Sequence, residues 1–146
     1  MSYAGVFGLS FLAVVPLWAL MVFAPRWSWT RRVVGQPWSY APLAVVYTVL
    51  VAANAAEVVP VIVADPRLDT VAPLLATPAG ATIAWVHFLA FDVFVGRWIY
   101  LDAADRGVHP LATAPVLGLT LLFGPAGFLT YLGLRSLVPW IGSPHG

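Results

Sequence analysis

The sequence predicts an all-α, polytopic membrane protein: a compact bundle of four transmembrane helices at about 3–24, 41–63, 82–102 and 111–134. Three observations predict it. Of the 146 residues, 61% are hydrophobic and only 9% charged, with a mean hydropathy of +0.89, whereas a soluble domain is about 25% charged. The apolar residues fall into runs of span length, separated by stretches rich in arginine, tryptophan and proline. The length suits one domain, 1–146, because each crossing takes roughly 20 residues plus a connection.

Composition also excludes function classes. A net charge of +1 without a long basic run argues against nucleic acid as a partner. The chain has no lysine, which removes a retinal Schiff base and lysine-based covalent catalysis, and no cysteine, which removes thiolate chemistry and cysteine-ligated clusters. Histidines stand only at His87, His109 and His145, and only His87 falls within a span, so no metal site is expected. The Glu-x-x-His pairs of a di-metal bundle do not occur.

Span one follows Met1-Ser2-Tyr3, which lack a positive n-region, and its apolar run is longer than a signal-peptide core. It should be retained as a helix that ends at Pro25. Arg26-Trp27-Ser28-Trp29-Thr30-Arg31-Arg32 then combines the two usual interface signals, arginine and tryptophan. Ordinary anchoring explains the segment; an anionic-lipid or substrate-entry patch is the functional alternative.

Span two contains Asn54, Glu57 and Pro60. Asn54 and Glu57 are neighbours at i and i+3, and Pro60 removes the hydrogen bond its N–H would give to Ala56. Glu57 is either half of a buried ion pair or a general acid or base. The proline-dense stretch 65–80 cannot be a continuous span, and 71–76 within it can form a short interfacial helix or a simple connection.

Span three carries His87, Asp92, Arg97 and, at its margin, Asp102. On an ideal helix, taking His87 as zero, Asp102 falls near ~60°, Asp92 near ~140° and Arg97 near ~280°. A lipid-facing helix gathers its charges on one side; these do not share a face, which predicts a central helix with protein around most of it. Asp102 and Arg106 can pair at i, i+4, Gly107 is a C-terminal stop, and His109-Pro110 makes a short turn to an antiparallel span four.

Span four contains Gly118, Gly124-Pro125, Gly127, Thr130 and Tyr131, predicting a kink and a side-chain-free surface for close helix packing or a flat ligand. Arg135 and Trp140 mark the exit interface, and the tail 142–146 is expected to be disordered. The positive-inside rule puts loops one and three in the cytoplasm and both termini outside, with Arg135 an exception.

The intramembrane set offers proton donors and acceptors (Glu57, Asp92, His87), a fixed cation (Arg97) and a neutral hydrogen-bonder (Asn54). Such a set suits proton transfer better than metal ligation. A lone His87 can ligate haem from one side, but a lone core histidine is more often simply hydrogen-bonded. A substrate would arrive from the lipid phase. The span-three aromatics Trp85, Phe88, Phe91, Phe94, Trp98 and Tyr100 either flank a long apolar ligand or pack the core.

Two strings, His87-Phe88-Leu89-Ala90-Phe91-Asp92-Val93-Phe94-Val95-Gly96-Arg97-Trp98-Ile99-Tyr100-Leu101-Asp102 and Leu121-Leu122-Phe123-Gly124-Pro125-Ala126-Gly127-Phe128-Leu129-Thr130-Tyr131, resemble the signature of the abscisic-acid-deficient-four family. Its plant members are plastid membrane proteins needed to make neoxanthin from violaxanthin. The resemblance implies a carotenoid or related isoprenoid substrate and an isomerisation in which an epoxide opens and a proton is lost, with no redox cofactor. On this reading His87, Asp92 and Arg97 form the catalytic site with Glu57 as partner, and Asn54, Phe91, Trp98 and Tyr131 bind the substrate. The alternative is a non-catalytic carotenoid-binding or assembly subunit, and a homodimer or larger membrane complex is compatible with either. The chain lacks a plastid-transit-like segment. Its Ala, Val and Arg richness without lysine suggests a bacterial plasma membrane, where the fold carries over and the substrate differs.

Overall fold

The structure, a computed structural model, describes residues 1–138. Trp140, His145 and the tail 142–146, for which the sequence carries expectations, lie outside the described residues. Within them the chain is an all-helical membrane bundle without a strand.

Eight helices follow one another: α1 (Tyr3–Phe23), α2 (Ser28–Gly35), α3 (Ala41–Ala53), α4 (Ala55–Val59), α5 (Leu68–Leu75), α6 (Pro78–Asp105), α7 (Pro110–Leu122) and α8 (Gly124–Ser136). Helix α4 continues as a π-helical turn over Pro60–Ala64. Two of them, α1 with 21 residues and α6 with 28, are long and apolar enough to cross a membrane. Both start at a hydroxyl cap: Ser2 Oγ accepts the Gly5 N–H, and Thr77 Oγ1 accepts the Gly80 N–H. Helix α6 begins at Pro78, four residues before the expected start, and stops before Gly107, whose φ of 67° is the left-handed conformation a helix stop requires.

Helix α6 is central, packing against α1, α3, α7 and α8, and its Val86, Val93 and Ile99 are fully buried. It runs parallel to α1. Phe7 stacks on Trp85 at 4.6 Å between centroids, the Trp18 ring covers Gly96, and the Tyr100 hydroxyl donates to the Pro25 carbonyl at 2.8 Å. A Cβ at Gly96 would sit 2.5 Å from the Trp18 ring, so glycine is what allows this approach. Helix α3 runs the other way, from Tyr40 beside Arg97 to Asn54, whose Oδ1 accepts the Tyr3 hydroxyl at 2.9 Å.

Span two is broken at Asn54 rather than distorted chiefly at Pro60: α3 and the α4 segment meet at 80°. The cause is local. Asn54 leaves helical geometry (φ −114°, ψ 19°) and its Nδ2 donates to the Leu50 carbonyl at 2.8 Å. Pro60 has the milder effect of opening a π turn.

Span four is a hairpin. Phe123 is non-helical (φ −145°, ψ 69°), which separates α7 from α8. Helix α7 starts at the C-terminal end of α6 and returns along it to the level of Asp92. Helix α8 then runs from Gly124, against Asp92, to Tyr131 and Arg135, both bonded to Asp102. Across the hairpin Gly127 lies directly on Thr120, where a Cβ would come 2.5 Å from backbone atoms. Gly124-Pro125 therefore marks a reversal, not the expected kink. The bundle keeps four members, the fourth dipping to mid-depth and returning.

The hairpin also corrects the topology. Residue 138 ends beside Arg106, at the end opposite Tyr3. Arg26, Arg31, Arg32, Arg106 and Arg135 now share one end and Arg67 is the arginine of the other, so Arg135 is no exception. The positive-inside rule assigns the arginine-rich end to the cytoplasmic side, and Trp27, Trp29 and Trp38 stand exposed there.

Candidate functional site

Helix ends inside a membrane leave carbonyls that water cannot satisfy. Side chains meet much of that demand here. Thr30 Oγ1 donates to the Ala24 carbonyl at 2.6 Å, and Tyr100 serves Pro25. Arg97 donates from Nε to the Val34 carbonyl at 2.9 Å and from a terminal nitrogen to Gly35 at 2.8 Å, with its guanidinium against the Tyr40 ring. Arg97 thus closes the C-terminus of α2, where a cation also complements the helix dipole, and pairs with neither Asp92 nor Glu57.

Asp102, marginal in the sequence, is a hub. Its Oδ2 accepts from Tyr131 (2.6 Å), Arg106 (2.8 Å) and Arg135 (3.0 Å). Tyr131 is fully buried, with Trp98 edge-on to it at 5.5 Å, and Arg135 lies against the Trp98 ring. The expected Asp102–Arg106 pair is present. The contributions of Tyr131 and Arg135 were missed, although their i, i+4 spacing on α8 put them on one face. This cluster fastens α8 to α6 and gives Tyr131 and Trp98 packing roles.

Asn54 is spent on Leu50 and Tyr3. Glu57 is exposed on α4, beyond the 80° break and at the arginine-poor end.

Asp92 and His87 remain. Asp92 is the fifteenth of the 28 residues of α6 and so sits at mid-depth. It packs against Gly124: a Cβ there would collide with Oδ1 and stand 3.0 Å from Cγ. No hydrogen bond or ion pair to Asp92 is recorded among the described residues; its polar neighbourhood is the N-terminus of α8, whose dipole favours an anion. His87 packs between Tyr47 (5.3 Å) and Phe91 (4.7 Å between centroids). Ideal geometry separates the two Cα atoms by about 9 Å. Between them on the helix surface, Phe88 and Phe91 are each 58% exposed, and Phe94, beyond His87 in angle, is 54% exposed. These rings form an apolar, lipid-facing strip on α6 that runs between the carboxyl and the imidazole. Among the described residues no group of three or more metal-ligating side chains comes together.

The two strings that carry the family resemblance are packed against each other along this line, Asp92 on Gly124 and Asp102 on Tyr131. Comparison with known proteins agrees. A family model described as ABA DEFICIENT 4-like matches residues 5–131. Protein ABA DEFICIENT 4, chloroplastic, of Arabidopsis thaliana is 26% identical over 140 residues, covering 92% of this chain and 62% of that protein. The chain therefore spans less than two thirds of that relative's length. No solved structure matches. With the family model covering most of the chain, and both signature strings meeting in one helix–hairpin interface, the chain belongs to the ABA DEFICIENT 4-like family.

Proposed function

We propose that the protein binds a carotenoid-like or related isoprenoid lipid along the aromatic strip beside Asp92 and acts as, or assists, an acid–base isomerase. The observation that carries this is Asp92 itself: a carboxyl at mid-depth without a counter-cation, where an ionised group is costly, next to exposed aromatic rings that a polyene can lie on. Membership of the family supports the substrate class. In the isomerisation the Asp92 carboxyl gives its proton to an epoxide oxygen as the C–O bond opens, and His87, or Asp92 recharged as carboxylate, accepts a proton from carbon. One proton enters and one leaves, so composition and oxidation state are unchanged. Arg97 and Asp102 shape the site through α2 and α8, and Glu57 takes no part.

A carrier or assembly role is the second reading, favoured by one observation: most of the intramembrane polar groups are committed to holding helices. Purification from a host that accumulates epoxy-carotenoids separates either reading from no pigment binding. The protein should retain polyene, and Phe88→Ala/Phe91→Ala should release it; a colourless wild type would remove the ligand from the account. The bacterial plasma membrane is an expectation from composition, whereas the relative from Arabidopsis thaliana is a chloroplastic protein.

A further inference from the structure

Between α1 and α7 lies a cleft in two parts. At the arginine-rich end a space of about 410 Å³ is bordered by Pro25, Arg26, Trp27 and His109. Below it an apolar groove of about 280 Å³ runs between Val15, Trp18, Ala19 and Val22 of α1 and Gly118 and Leu121 of α7. Phe23 borders both, so the two lie end to end along α1. From Phe23 to Phe11 the groove covers about 18 Å of helix, close to one leaflet of a hydrocarbon core of roughly 30 Å.

The charge at the head of the cleft is of one sign. No Asp or Glu borders either part. Arg31 is paired with Asp105, Arg106 and Arg135 share Asp102, and Arg32 lies against Trp29. For Arg26 no hydrogen bond or ion pair is recorded among the described residues. His109 Nδ1 accepts the Leu111 N–H at 3.3 Å, so the neutral ring carries its proton on Nε2 and can still donate. At the groove wall Gly118 has no atom within 4 Å of where a Cβ would stand.

We propose that this cleft binds one anionic glycerophospholipid from the surrounding leaflet. Its phosphodiester meets Arg26 and the His109 N–H, one acyl chain lies in the α1/α7 groove, and the second chain stays in the bilayer. A phosphate and a single chain match the two chemistries of the cleft, at the depth and on the side where anionic headgroups accumulate. The cleft shares no lining residue with the aromatic strip between His87 and Asp92.

The test is native mass spectrometry of delipidated, full-length protein in mild detergent, titrated with phosphatidylglycerol or phosphatidylcholine. The wild type should retain one phosphatidylglycerol per chain in preference to phosphatidylcholine. Arg26→Gln should lose roughly fivefold in affinity for phosphatidylglycerol, the contribution of one basic residue near a membrane surface, and leave phosphatidylcholine unchanged. Gly118→Leu, which fills the groove from open space, should lose both lipids while its melting temperature holds. Millimolar inorganic phosphate should not displace the lipid. Equal retention of the two lipids by the wild type, wild-type retention by both variants, or displacement by phosphate alone would each overturn the proposal.

Discussion

Asp92 and Gly124 touch so closely that a side chain at 124 would occupy the place of Oδ1. The contact exists because α7 ends at Leu122, Phe123 leaves helical geometry and α8 begins beside the carboxyl. Gly124→Ala must therefore displace either Asp92 or the hairpin tip, costing about 1–3 kcal/mol of overpacking and most of the turnover. Gly133→Ala, where a Cβ meets nothing within 4 Å, is the control and should stay within about 0.5 kcal/mol. Thermal unfolding in detergent and product analysis read both.

The Asp102 cluster should hold α8 in place. Tyr131→Phe removes one hydrogen bond to a carboxylate and should cost about 1.5 kcal/mol. Asp102→Ala removes the acceptor shared by three donors and should cost more, about 3 kcal/mol. Unchanged melting in Tyr131→Phe would contradict the anchoring role.

Arg97 should matter to α2 rather than to chemistry. Its fork serves two carbonyls at once, a geometry lysine lacks. Arg97→Lys should speed amide exchange over residues 28–40 and leave product formation within about tenfold of wild type, because Arg97 bonds α2 and neither Asp92 nor His87. Loss of turnover with unchanged exchange would return Arg97 to the catalytic site.

The hairpin makes a topological prediction that the cysteine-free sequence allows to be read cleanly. Single cysteines at Ser28 and Ser136 should label from the same side of sealed vesicles, and one at Leu68 from the other. Labelling of Ser136 and Leu68 from one side would restore a fourth crossing.

Much of the fold was legible in sequence, and the reasons are local. Apolar length located α1 and α6, Gly107 and Pro25 located their ends, and the scattered charges of 87–102 identified the central helix. Two breaks were not legible as such. The run 111–134 has the length of a span, and Gly-Pro reads equally as kink or reversal; only its contacts with Asp92 and Asp102 show that the chain turns back. Asn54 reads as a polar residue in a helix until its amide is seen bonded to Leu50. The site was half legible for the same reason. Asp92 and His87 stood out as titratable residues in a span, but whether Arg97 and Glu57 joined them depended on helix packing, which periodicity does not encode.

Asp92→Asn is the most direct test of the acid–base account. Asparagine keeps the shape that packs against Gly124, so the fold should persist, but it has no carboxyl proton to give. In a host that accumulates epoxy-carotenoids, chromatography of the extracted pigments should show isomerised product with the wild type and none with the variant, at equal protein and equal bound polyene. Product at the wild-type level from Asp92→Asn would contradict the account and remove Asp92 from the mechanism.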